Sequence, residues 1–284
     1  MIIVAGGSVP GTDHTKPGQP GWTNNHDAFT WRGLRSGGFV AVVCDGCGSG
    51  KHSEVGSHLG ANLLAQTITD DVEKLHIEGR PLAQIALGRV QQIVLGYFAT
   101  LAKATGGSFS QTINDYFLFT IVGAIVTPEE YCIFSLGDGV FILNGDVYPL
   151  GPFPNNSPPY LMYNLAGSSL LDANPALLNL QVQARGSTKD LNWLLIGTDG
   201  VLDLINAKGK TIPGRKETVG AIEQFLSDSC MQNPDGIRRR LAVLNRETVE
   251  DGRSIRGGLL TDDTTFIIVQ ITPDLPPTGK KVNS

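Results

Sequence analysis

The chain has 284 residues, 17% of them charged, with a net charge of −5 at neutral pH and no block of like charges. That composition fits a globular protein with room for a large core, and it excludes a basic binder of nucleic acid or other polyanions. An acidic chain that handled phosphate would need its positive charge from metal or from a few local basic residues.

The N-terminal MIIVAGGSVPG holds one short apolar run without a basic flank, so no secretory signal is expected. No apolar run approaches the ~18 to 20 residues that span a bilayer, and a cytoplasmic location without membrane contact is the expectation. Cys44, Cys47, Cys132 and Cys230 are too few for a disulfide framework in a chain of this length. Cys44 and Cys47 are spaced CxxC but lack the second pair that a zinc site needs, so all four read as reduced thiols.

In chain order, residues 2–5, 28–31 and 39–44 read as strands, with a Gly-, Pro- and Thr-rich loop over 7–25. Ser53 is the expected N-cap of a helix carrying Ala61, Leu64, Ile68, Val72 and Leu75 on one face. A second helix is expected with Leu82, Ala86, Val90, Ile93, Tyr97 and Leu101 on its stripe, ending at Gly106-Gly107. Strands resume over 116–126, 131–136 and 140–143, and Asn144-Gly145-Asp146 signals a hairpin turn.

Residues 151–175 hold five of the sixteen prolines and read as a long irregular loop. Strands follow at 180–184 and 193–197, a second helix pair at 216–231 and 235–245, and a last strand at 265–271. The order is strands, helix pair, strands, helix pair, strand, which lacks the alternation of a parallel sheet. It predicts an α+β fold, a four-layer αββα sandwich of two antiparallel sheets flanked by helix pairs. One domain is expected over 1–272, followed by a flexible tail over 273–284.

Acidic residues recur at the ends of these strands. Asp45, Asp138 and Asp199 each follow an apolar run and precede a glycine, while Asp27 and the pair Asp262-Asp263 come just before one. Only antiparallel neighbours bring strand ends and strand starts to one edge. Crowded carboxylates repel until some are protonated or a divalent cation enters, and oxygen-only donors suit Mg²⁺ or Mn²⁺. The sequence contains no GxSxG, HExxH or GxxxxGK[ST] motif that would supply other hydrolytic or phosphate-binding machinery.

These motifs, taken together, resemble the metal-dependent protein phosphatase family, protein phosphatase 2C. The family's (E/Q)D, DGxxG, GD, DG and D(N/D)xT appear in order as His26-Asp27, Asp45-Gly46-Cys47-Gly48, Gly137-Asp138, Asp199-Gly200 and Asp262-Asp263-Thr264-Thr265. GTDHTKPGQP and CDGCGSGKHSEVG further resemble a bacterial branch. The resemblance implies two divalent cations, Mg²⁺ or Mn²⁺. Asp45 would bridge them, the Gly46 carbonyl would join one, and Asp199 and Asp262 would hold the other. It also implies a weaker third ion near Asp138, with Asp27 and Asp263 acting through bound waters. The reaction implied is hydrolysis of phosphoserine and phosphothreonine in proteins by a metal-bridging water, with Asp45 and Asp199 catalytic through the metals and no protein nucleophile. A phosphoprotein substrate and a monomeric state are expected.

Three positions depart from the family. His26 stands where Glu or Gln is usual and is a candidate metal ligand; Trp22 stands where many relatives carry a phosphate-gripping arginine; and Cys47 follows Asp45-Gly46. Lys16 and His14 are the candidate substitutes for that arginine. The departures leave two alternatives open, a low-activity binding or regulatory module on the same fold and a hydrolase of small phosphate esters.

Overall fold

The computed structural model describes residues 2–15, 24–167, 174–250 and 253–272. The tail expected over 273–284, Lys16 and Trp22 lie outside the described residues. Chain order gives the strands β1 (Ile2–Val9), β2 (Ala28–Gly33), β3 (Phe39–Gly46), β4 (Phe119–Val126), β5 (Glu130–Leu136) and β6 (Gly139–Leu143). They continue as β7 (Asp146–Leu150), β8 (Gln181–Ser187), β9 (Trp193–Gly197), β10 (Thr248–Glu250), β11 (Arg253–Arg256) and β12 (Thr264–Ile271). One five-stranded sheet runs β1-β12-β9-β6-β7 and a second runs β2-β3-β4-β5-β8, while β10 and β11 form a separate ribbon. Every pairing within the two large sheets is antiparallel.

The central strands are apolar along their whole length because both of their faces are covered. In β3, Phe39, Ala41 and Val43 point into a core shared by the two sheets, and Val40, Val42 and Cys44 point into a core shared with helices. In β12, Ile267 and Val269 face the other sheet while Phe266 and Ile268 face the opposite way. Three apolar cores in succession make four layers, as the element order predicts.

The helices α1 (Ser53–Ile77) and α2 (Leu87–Ala104) cover the second sheet. On the first sheet pack the helix Gly200–Asn206, the helix Gly236–Leu244 and short turns over Ile222–Leu226 and Asp228–Met231. The Asn144-Gly145 turn joins β6 to β7 with both residues at positive φ, 52° and 103°, as a tight hairpin requires. Among the described residues no helix is long and apolar enough to cross a membrane.

Four local expectations fail for physical reasons. Ser53 is the first helical residue instead of the N-cap; His52 holds the cap position, and no side chain bonds the helix end there. The buried face of α2 is Leu87, Val90, Gln91, Val94, Leu95, Phe98 and Ala102, with Tyr97 exposed. Leu82, which set the expected phase, belongs to a separate 3₁₀ turn (Leu82–Gln84). Gln91 hides the true stripe from an apolar count: its amide is buried, donating to Asn179 Oδ1 (2.9 Å) and accepting from Leu180 N (3.0 Å). The segment expected to begin a strand at 116 instead completes α3 (Phe109–Tyr116), capped by Ser108. Residues 216–231 are no continuous helix, since Thr211 pairs with Thr218 as an isolated bridge and only short turns follow.

Candidate active site

The antiparallel registers collect the acidic residues at one edge. Asp45 lies opposite Thr120 at the open end of β3–β4, and Ala28 pairs with Cys44, which brings Asp27 level with Asp45. Gly137-Asp138 is the turn from β5 into β6, and Thr198-Asp199 leaves β9 beside the start of β12, where Thr198 N donates to Thr265 O (2.9 Å). Val9 pairs with Thr264, so the loop after β1 that carries His14 reaches the same edge.

A cleft of about 420 Å³ is lined by Asp45, Gly46, Asp138, Asp199 and Asp262, together with His14. The expected core ligand positions therefore share one cavity. His26, Asp27 and Asp263 are buried and lie outside its lining. Among the described residues, neither Lys nor Arg lines this cleft.

The Asp-Gly dipeptides have a steric reason to exist. A Cβ at Gly46 would sit 2.7 Å from the His26 carbonyl oxygen and 2.9 Å from Ser53 Oγ. At Gly200 it would sit 2.1 Å from the Asp263 carbonyl oxygen, which is backbone and has little room to move. Gly200→Ala is accordingly expected to destabilise the chain by about 1–3 kcal/mol through overpacking. Thermal unfolding checks this, and an unchanged melting temperature would contradict it.

Burial, followed by the charges of Asp27, Asp199, Asp262 and Asp138, pushes the Asp45 carboxyl well above its usual range. Burial, then Asp262 and Asp138, pushes Asp199 up to about 7, and Asp138 rises to about 6, chiefly through burial. Asp262 is also raised by burial, with His14 pulling the other way. Asp27 is raised by burial and by Asp263, against the hydroxyls of Thr265 and Thr198, the latter donating from Oγ1 to Asp27 Oδ2 at 2.9 Å. Asp27 Oδ1 and Asp199 Oδ1 are buried without a hydrogen-bond partner among the described residues. Oxygen donors, raised carboxyls and orphaned lone pairs are what a hard divalent cation relieves, so the residues present fit one.

Asp263 is fixed from the backbone, with Oδ1 accepting from Gly11 N and Oδ2 from His26 N, both at 2.7 Å. His14 Nδ1 lies 2.8 Å from Asp263 Oδ2 and Nε2 lies 3.5 Å from Asp262 Oδ1. The Asp263 carboxylate raises the His14 pKa to about 9, while burial lowers that of His26.

Sequence reasoning missed part of the wall. Ser157, Pro158, Tyr160 and Tyr163 line the cleft from the long proline-rich segment, where no periodicity points at them; Cys47, which the motif places directly after Asp45-Gly46, lines it as well. Thr198 holds Asp27, a role visible only once the end of β9 is brought to the same edge as the start of β2.

The family model of protein phosphatase 2C matches residues 10–228. The chain belongs to this family. No curated protein sequence matches it. Among solved structures it is similar to a point-mutated form of a bacterial serine phosphatase, at 16% identity and a TM-score of 0.53, covering 97% of this chain and 100% of that one. It is similar also to a bacterial serine phosphatase at 15% identity and a TM-score of 0.52, with the same coverage. At these identities the likeness concerns the fold.

Proposed function

We propose that the chain hydrolyses phosphoserine and phosphothreonine in proteins, using two divalent cations, Mg²⁺ or Mn²⁺. The observation that carries this reading is a cleft with four aspartates on its walls and no Lys or Arg among its described residues. Such a cavity repels a phosphate monoester unless cations reverse its charge. Asp45 and the Gly46 carbonyl, with Asp199 and Asp262, are the groups that would hold them, and Asp138 is placed to serve a weaker third ion. Bound there, the cations supply charge neutralisation, a grip on phosphoryl oxygen and a water acidic enough to attack phosphorus at neutral pH.

The chain's own residues hold that arrangement in shape. Thr198 orients Asp27 beside Asp45, and the backbone bonds to Asp263 fix the segment that presents Asp262. In the reaction a water oxygen bonds to phosphorus as the ester P–O bond breaks, and the departing serine or threonine oxygen takes up a proton.

Metal removal tests the reading. The full chain treated with EDTA is expected to lose turnover of a phosphoserine peptide and of para-nitrophenyl phosphate, and to regain it on addition of Mn²⁺ or Mg²⁺. Absence of metal-dependent turnover on either substrate would leave a binding module on a phosphatase fold. A small ester consumed far better than any phosphopeptide would move the assignment to a small-molecule hydrolase.

A further inference from the structure

We infer that His14, His26 and Asp263 form a separate binding site for one borderline transition-metal cation, of the Zn²⁺ or Co²⁺ kind, beside the carboxylate cleft. The ligand atoms of these three side chains all lie within 4.8 Å of one another, and no other group of three His, Cys, Asp or Glu among the described residues does so. The carboxylates of the cleft are not gathered so closely. The site is a second convergence, built from two imidazoles and one carboxylate, that shares only His14 with the wall of the cleft.

His26 gives the strongest reason. It is 1% exposed, and both of its ring nitrogens are buried without a hydrogen-bond partner among the described residues. A neutral imidazole has one donor and one acceptor nitrogen, and a buried polar group left unpaired costs about 1–3 kcal/mol. Packing alone does not explain a histidine here, since an apolar residue would avoid that cost. A cation that takes the acceptor nitrogen removes much of it.

The other two members are prepared in a complementary way. Asp263 is held by Gly11 N and His26 N at 2.7 Å, which fixes the carboxylate and leaves lone pairs free, as outer hydrogen bonds do around metal ligands. His14 Nδ1 stands 2.8 Å from Asp263 Oδ2, and the two imidazole rings lie 5.2 Å apart, tilted by 49°. Ligands on one tetrahedral ion sit roughly 3.3 Å apart, so ring rotations of about an ångström would close the set. The pairing of His14 with Asp263 accounts for two of the three residues; a shared cation accounts for His26 as well.

Ligand chemistry separates this site from the cleft. Two imidazoles with one carboxylate favour Zn²⁺ or Co²⁺, whereas oxygen-only donors favour Mg²⁺. The inference does not rest on phosphatase activity, and its test does not read it.

The full chain, stripped with EDTA, is dialysed against low Zn²⁺ in a large excess of Mg²⁺, and bound zinc is counted by mass spectrometry. Wild type is expected to retain about one zinc per chain, His26→Gln and His14→Ala to retain none, and Asp199→Asn to retain it as wild type does. Co²⁺ in place of Zn²⁺ should give wild type visible absorption bands that both histidine variants lack. Circular dichroism confirms folding, and the two histidine variants allow the result to be read from either one. Zinc retained equally by wild type and the histidine variants, no zinc in wild type, or loss of zinc in Asp199→Asn alone would each overturn the site.

Discussion

Asp45→Asn is expected to lower metal-dependent turnover by more than about 100-fold, while raising the melting temperature of the metal-free chain at pH 8. The two effects have one cause. Asp45 lines the cleft with Asp138, Asp199 and Asp262, and its carboxyl is pushed well above its usual range by burial and then by the charges of Asp27, Asp199, Asp262 and Asp138. Without cations, the buried carboxyls of that cluster ionise only against burial and mutual repulsion. Asparagine keeps the shape and cannot ionise, so the strain of the empty cleft at pH 8 falls; with cations bound, the same change would delete the donor proposed to serve both ions. A phosphopeptide assay with Mn²⁺ and a melting curve in EDTA read the two arms. Retained activity with a lower EDTA melting temperature would place Asp45 in an ordinary structural role.

The metal-free wild type is expected to lose stability as pH rises from 5 to 8, by on the order of 5 °C in melting temperature, and saturating Mn²⁺ should abolish the trend. The sign follows from raised pKa values. Asp138 moves from 3.8 to about 6 and Asp199 from 3.8 to about 7 on folding. Between the unfolded and folded values the native chain holds protons that the unfolded chain has released. Their contribution to stability is complete below pH 3.8 and is lost as pH climbs through 6 and 7. A bound cation takes the place of those protons. Calorimetry across this range in EDTA and in Mn²⁺ provides the check, and a flat or rising EDTA profile would count against the crowded, buried carboxylates described for the cleft.

The parts of the fold that were legible in the sequence are those where one residue pattern reports one environment. The unbroken apolar run of β3 reads as a strand because both of its faces are buried, and Asn144-Gly145 reads as a turn because its backbone demands it. The phase of α2 was not legible, because its burial depends on a polar Gln91 whose partners come from residues 178–180. α3 was missed because its eight residues, FSQTINDY, bury only Thr112 and Ile113, too few for a period.

The cleft follows the same division. Its aspartates stand out as acidic residues beside apolar strands, whereas Tyr160 and Tyr163 reach it through a segment whose path is set by tertiary contacts such as Asn164 Nδ2 donating to the Leu178 carbonyl (3.0 Å). The meeting of His14, His26 and Asp263 was beyond reach for a related reason: the register of β1 with β12 brings His14 to Asp263, and His26 joins them from β2 of the other sheet through its backbone bond to Asp263.

Those bonds across the sheets also make the edge of the sandwich a seam. His26 and Asp27 enter β2 of one sheet, and they are bonded to Asp263 and Thr198 at the ends of β12 and β9 of the other. Elsewhere the two sheets meet through apolar side chains such as Val43, Ile196 and Ile267, which grip without direction. The polar edge supplies the direction: it acts as the locating pin that sets how one sheet is seated on the other, so small errors of seating are corrected where the chemistry is to happen.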